Sequence, residues 1–270
     1  MGDQVIRIGA VADIHYSRDK ETRLKPLFEH AARSVDILLL GGDLTDYGMP
    51  EEVDSLVRDL KVAADIPIIA VLGNHDFESG REQEVMAILR AGGIRVLDGD
   101  TCEVRGIGIA GVKGFGGGFA RGTLEPWGEA GVKRFVQEAV DEAMKLERAL
   151  ARITAPTRIA LLHYAPIRDT VVGEPEEIFA FLGSGRLEEP LHRYGVTAVF
   201  HGHAHKGAPE GKTSGGIPVY NVALPILRRI YPQGLPLRIL ELSVPAPELV
   251  VEAAKLPLSS AGIKLDSATK

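Results

Sequence analysis

Cysteine and net positive charge are scarce in this chain, and long apolar runs are absent. One cysteine, Cys102, stands among 270 residues. An internal disulfide is therefore excluded, and the chain suits a reducing compartment. A lone thiol beside a strand serves as a small apolar filler. Lys and Arg number 31 against 37 Asp and Glu, so the cationic excess that grips nucleic acid through its phosphates is missing. No apolar stretch approaches the roughly 20 residues of a membrane helix. The opening Met1-Gly2-Asp3-Gln4-Val5-Ile6-Arg7 has no basic segment leading into an apolar one, so no secretory leader is expected. No repeat period stands out. These absences point to a cytoplasmic protein without a membrane or nucleic-acid partner, and they leave the oligomeric state open.

What is present is a core-forming composition, 45% hydrophobic though only 6% aromatic, in which short apolar runs alternate with helical spacing. Strands are expected at Val5–Val11, Asp36–Leu40, Ile66–Leu72, Ile107–Val112, Arg158–Leu162, Ala198–Phe200, Val219–Ala223 and Leu237–Leu242, each bounded by Gly, Pro or Asp. A helix is expected over Glu51–Ala64, with Val53, Leu56, Val57 and Leu60 on one face and Pro50 at its start. The clearest helical stripe runs from about Glu129 to Ile153, through Val132, Val136, Ala139, Val140, Ala143, Leu146 and Leu150. Such alternation predicts an α/β layered fold. Residues 1–245 read as one domain and residues 246–270, rich in Pro, Ser and Ala, as a peripheral tail. The glycine-rich stretch Gly114–Gly128 reads as a long loop of functional interest.

Polar residues that bind metals cluster directly after the strand candidates. Asp13-Ile14-His15, Gly42-Asp43, Gly73-Asn74-His75-Asp76, the single His163 and Gly202-His203-Ala204-His205 follow five of them. Ligands of an α/β sheet gather at the carboxyl ends of its strands, so these blocks face one rim. In extended backbone, residues two apart project to one side, which lets Asp13 join His15, and His203 join His205, in one cluster. Taken singly, each residue has an ordinary reading as a turn former, helix cap or hydrogen-bonded histidine. Independent turns have no reason to produce all five blocks in this order. Two divalent ions about 3.5–4 Å apart can clamp the attacking and leaving oxygens of an in-line displacement and acidify a bound water. A donor set of imidazole, carboxylate and amide without thiolate suits Mn²⁺, Fe or Zn²⁺ in a reactive site better than a structural zinc.

The blocks resemble the signature of the calcineurin-like metallophosphoesterases: D-x-H, G-D, G-N-H-[DE], H and G-H-x-H, all present in order over the first four-fifths of the chain. The resemblance implies a β-sandwich of two mixed sheets flanked by helices. It implies that Asp13, His15 and His205 hold one metal, that Asn74, His163 and His203 hold the other, and that Asp43 bridges them, with Mn²⁺ favoured. It also implies that His75 stands beside the leaving oxygen as proton donor or electrostatic stabiliser and that Asp76 orients its ring. The expected activity is metal-dependent hydrolysis of a small phosphodiester; a phosphomonoesterase acting on a nucleotide or phosphorylated metabolite, and a non-catalytic scaffold, are the alternatives.

Remaining features are weighed against simpler readings. His201 lies further down its strand than His203 and reads as a supporting or core residue; His30 and His192 read as structural. Gly106-Ile107-Gly108-Ile109-Ala110-Gly111 matches G-x-G-x-x-G but sits within a strand and leads into no helix, so it predicts close backbone approach rather than dinucleotide binding. Gly211-Lys212-Thr213 lacks the earlier glycine of a phosphate loop, because position 206 is Lys206. Arg121 in the 114–128 loop and Arg168 in the 166–185 loop are candidates for pairing with a substrate phosphate.

Overall fold

The computed structural model describes residues 4–17 and 24–245; the expected tail over 246–270 lies outside them. One sheet has the order β11-β1-β2-β3-β4, formed by β1 (Gln4–Val11), β2 (Ile37–Gly41), β3 (Ile68–Val71), β4 (Arg95–Val96) and β11 (Arg238–Val244). Its first four strands run parallel and β11 closes one edge antiparallel to β1. The other has the order β5-β6-β7-β8-β10-β9, formed by β5 (Asp100–Val104), β6 (Ile107–Gly111), β7 (Thr157–Leu161), β8 (Ala198–His201), β9 (Glu210–Lys212) and β10 (Pro218–Asn221). Here β6, β7, β8 and β10 are parallel, and antiparallel β5 and β9 form the edges. Both sheets are mixed, as expected.

Alternation along the second sheet shows how the layers pack. Ile107, Ile109, Ile159, Leu161, Ala198 and Phe200 turn inward to join the core of the first sheet. Their neighbours Ala110, Ala160, Leu162 and Val199 turn outward and are covered by Leu146, Leu150, Leu187 and Leu191. That cover comes from α4 (Ala130–Ala151) and from the segment ending in α6 (Glu188–Arg193). Residues of β2 are buried throughout, the pattern of a parallel strand with both faces covered. On its outer side lie α1 (Lys25–Ser34), α2 (Pro50–Leu60) and α3 (Glu82–Ala91), whose buried residues include Leu27, Phe28, Leu56, Val85 and Leu89. Pro50 opens α2, and the Glu52 carboxylate accepts from the backbone N–H groups of Tyr47 (3.0 Å) and Met49 (3.2 Å), fixing its start. The short helices α5 (Phe179–Leu182) and α7 (Leu224–Ile230) complete the chain order.

The glycine-rich match at 106–111 is indeed a strand. A Cβ on Gly108 would lie 2.1 Å from Ile153 Cγ2 and one on Gly111 2.6 Å from Leu97 Cβ, so packing demands the glycines. Cys102 is half-buried in β5. Among the described residues no helix is long and apolar enough to cross a membrane.

Candidate active site

Asp13, Asp43, His163 and His203 each lie two residues past the end of a parallel strand, β1, β2, β7 and β8, and Asn74 lies three past β3. Strand ends of both sheets therefore meet at one rim. The strand-end expectation holds, but the argument from extended backbone does not. Asp13 (φ 55°), His15 (φ 44°), Asp43 (φ 47°) and His203 (φ 68°) are all left-handed, four of the six non-glycine residues in that region among the described residues. Tight left-handed turns, not strand alternation, aim these side chains. Such conformations cost of order 1–3 kcal/mol each and persist where the surroundings enforce them.

The glycines inside the blocks make room for the polar groups. A Cβ on Gly73 would sit 2.2 Å from Asp43 Oδ1, one on Gly202 2.3 Å from Asp13 Oδ2, and one on Gly42 2.6 Å from His163 Nδ1.

Potential donors fall into overlapping triads whose atoms lie within 4.8 Å of one another: Asp13, His15 and His205; Asp43, His163 and His203; and His15, Asp43 and His75. Members of the His203/His205 pair thus serve neighbouring groups. Asp43 stands between them, its Oδ1 3.3 Å from His163 Nε2 and its Oδ2 3.9 Å from His15 Nε2. Asn74 Oδ1 adds an oxygen 3.0 Å from His163 Nε2, and Asp13 Oδ1 lies 2.9 Å from His205 Nε2.

Both carboxylates are almost wholly buried, and their ion-pair partners among the described residues are imidazoles rather than Lys or Arg. Buried charge of this kind requires a compensating cation. Burial would raise the Asp43 carboxyl, but the charge and hydrogen bond of His163, with the His75 backbone N–H, hold it well below the usual carboxylate range. Burial would conversely strip His163 of its proton, yet Asp43 outweighs this and pushes it up to about 9. Because His163 Nδ1 donates to the Gly41 carbonyl (2.9 Å), the second proton sits on Nε2, between Asp43 and Asn74. A proton held between two oxygens marks where a metal cation would be stabilised, so the residues fit divalent ions. Burial lowers the pKa of His15 and brings that of His203 to about 4, leaving their rings neutral as ligation requires.

His75 lies in the short turn His75–Phe77, edge-on to His15 with ring centroids 4.6 Å apart. Its Nδ1–H donates to the main-chain carbonyl of Asp46 (2.7 Å), which turns Nε2 the other way. Asp76, expected to orient this ring, does something else. Its fully buried carboxylate accepts from the backbone N–H groups of Leu44, Thr45 and Gly73 and from the Thr45 hydroxyl, at 2.6–3.2 Å. Burial and then the Asp43 charge push its pKa up to about 6 despite these bonds. Asp76 therefore ties the Asp43 block to the Asn74 block, and a carbonyl of the former positions the ring.

His201, as expected, is a core residue. Its Nδ1–H donates to the Gly202 carbonyl and its Nε2 accepts from the Thr170 hydroxyl, both at 2.8 Å. Burial brings its pKa to about 4.

The 114–128 and 166–185 loops are laced together: Gly117 N–H donates to Ala180 O (2.7 Å) and Gly118 N–H to Gly183 O (2.9 Å). Their joint rim reaches the site where His203 Nε2–H donates to the Phe181 carbonyl (3.1 Å). Arg168 is engaged by Glu176 (2.9 Å) and lies over Phe179, while Arg121 is exposed in a short turn. Lys113, which the sequence reading did not single out, lies two residues past β6 and so at the same offset as four of the ligand candidates.

The model for the calcineurin-like phosphoesterase family matches residues 6–207. A Synechococcus protein described as a probable cyclic nucleotide phosphodiesterase is 27% identical over 188 residues, 67% of this chain and 62% of the relative. The aligned region thus spans less than two thirds of that relative's length. Among solved structures, a phosphopantetheinyl hydrolase of Mycobacterium tuberculosis has a TM-score of 0.63 at 16% identity, over 86% of this chain and 95% of that one. A protein of Thermus thermophilus has a TM-score of 0.52 at 18% identity, over 81% and 89%. These structural likenesses concern the fold.

Proposed function

The chain belongs to the calcineurin-like phosphoesterase family, and from that membership together with the site's geometry we propose that it is a dinuclear metal-dependent hydrolase of small phosphodiesters. One observation carries the reading: Asp43 turns one oxygen to His163 and the other to His15, the arrangement a carboxylate needs to bridge two ions. Asp13, His15 and His205 would hold one ion, Asn74, His163 and His203 the other. Bound there, a pair of divalent cations would neutralise phosphate charge and acidify water. Manganese is the favoured metal, with iron or zinc also suited to this donor set.

The protein's own groups do the rest. Asp46 O fixes the His75 ring by its Nδ1–H, and a second proton, carried on Nε2, would be the one given or hydrogen-bonded to the departing oxygen. Asp76 holds the two blocks in register. The preference for diesters is supported by the description of the Synechococcus relative.

A comparison of bis- and mono-p-nitrophenyl phosphate with protein loaded with Mn²⁺, Fe²⁺ or Zn²⁺ tests this reading. Faster turnover of the diester is expected. Preference for the monoester would replace it with a phosphomonoesterase, and inactivity with all three metals would favour a scaffold.

A further inference from the structure

Lys113 occupies, after β6, the position that Asp13, Asp43, His163 and His203 occupy after their strands. Its main-chain carbonyl accepts from the N–H groups of both His163 and Tyr164 at 3.0 Å, which binds it to a ligand block. The Glu142 carboxylate, buried within α4, accepts from Gly114 N–H (2.7 Å) and so pins the turn that aims the lysine.

Its ammonium is placed unusually. The rings of Phe115, Tyr164 and Phe77 have centroids 4.8, 5.3 and 5.6 Å from Nζ, within cation–π range. One of these rings, that of Tyr164, flanks the candidate centre. Phe77 ends the His75 turn, and Tyr164 follows His163 and lies 4.3 Å from the His203 ring. Nζ makes one hydrogen bond, to the Gly114 carbonyl at 2.9 Å, and among the described residues it has no carboxylate within ion-pair distance. Glu142, Glu138 and Asp98 act on this ammonium only from beyond ion-pair distance, and desolvation outweighs them; a half-buried ammonium with spare donors and no paired carboxylate is suited to a transient anion.

We propose that Lys113, framed by Phe77, Phe115 and Tyr164, is a substrate-binding residue that donates to a phosphate-type anionic group of the ester. This rests on the phosphoesterase reading and adds the cation that neither Arg168, taken up by Glu176, nor the exposed Arg121 supplies. The group bound is either the phosphate at the centre itself or a second phosphate on the same substrate.

Calorimetric titration of inorganic phosphate and of pyrophosphate into protein holding Mn²⁺ in excess separates these sources. Lys113→Met keeps the apolar stem and removes the charge; Lys113→Gln serves the same purpose should K113M lose the fold. The neutral variants should retain their metal content and bind the anion roughly 10- to 100-fold more weakly, the range of a charged hydrogen bond. Lys113→Arg should stay within a few-fold of the parent. Equal weakening for both anions places Lys113 on the phosphate at the centre, and weakening for pyrophosphate alone places it on a second phosphate. Unchanged affinity for both overturns the proposal. Turnover of esters with unchanged anion affinity in K113M would reject Lys113 alone, whereas Lys113-dependent phosphate binding without turnover of any ester would reject the hydrolase reading alone.

Discussion

At the residue scale, the site separates groups that would hold metal from groups that would act beside it. His75→Ala should keep its metal, since the two triads that contain Asp43 and Asp13 with His163, His203, His15 and His205 do not need it. It should lower kcat on a diester by about 10²- to 10⁴-fold, the usual worth of a positioned proton donor. Loss of metal from H75A, measured by elemental analysis, would contradict that separation. Asp76 belongs to a third kind, because its oxygens satisfy four buried donors. Asp76→Ala should cost about 3 kcal/mol or more in urea unfolding, and a neutral effect would show that water replaces the carboxylate at no cost. The convergence of the candidate ligands was legible in sequence because each block is a compact motif after a strand. The partner of the His75 ring was not, since any residue can offer a main-chain carbonyl and Asp46 gives no sign of it. Lys113 escaped for a related reason: its sequence neighbours are glycines and an apolar strand, and its aromatic frame comes from three separate segments.

Element by element, the apolar runs forecast eight strands and two helices to within a few residues, because buried strands such as Ile37–Gly41 and amphipathic helices such as Ala130–Ala151 carry strong periodicity. The ten-residue helices Lys25–Ser34 and Glu82–Ala91 were not forecast, nor were the short and edge strands. Arg95–Val96 and Glu210–Lys212 have too few residues to show a period, and Asp100–Val104 is a half-exposed edge strand recognisable only from its partner β6. Left-handed turns at Asp13, His15, Asp43 and His203 were equally hidden, since none is glycine. Yet the glycines next to them can be tested. Gly202→Ala would bring a Cβ against Asp13 Oδ2 and Ala12 Cβ. Its circular dichroism should match the parent while its metal stoichiometry falls, and full metal content would show that the turn yields more easily than its geometry implies.

On the scale of the whole molecule, donors come from strand ends of both sheets, so metal binding would cross-link the sandwich at one rim. Free Mn²⁺ at 100 times its Kd should stabilise the fold by about 2.7 kcal/mol, raising Tm by roughly 5–10 °C. The shift should vanish in Asp43→Asn. Binding must also expel the proton that His163 carries below pH 9 or so. Apparent affinity should therefore weaken as pH falls through that range, with proton release seen as a buffer-dependent heat in calorimetry; pH-independent affinity would place the metal elsewhere. Anomalous diffraction from crystals soaked in Mn²⁺ gives the decisive view of the paired centre. Two peaks should flank the Asp43 carboxylate, one beside Asp13, His15 and His205 and the other beside Asn74, His163 and His203. A single peak, or peaks that leave Asp43 untouched, would contradict it.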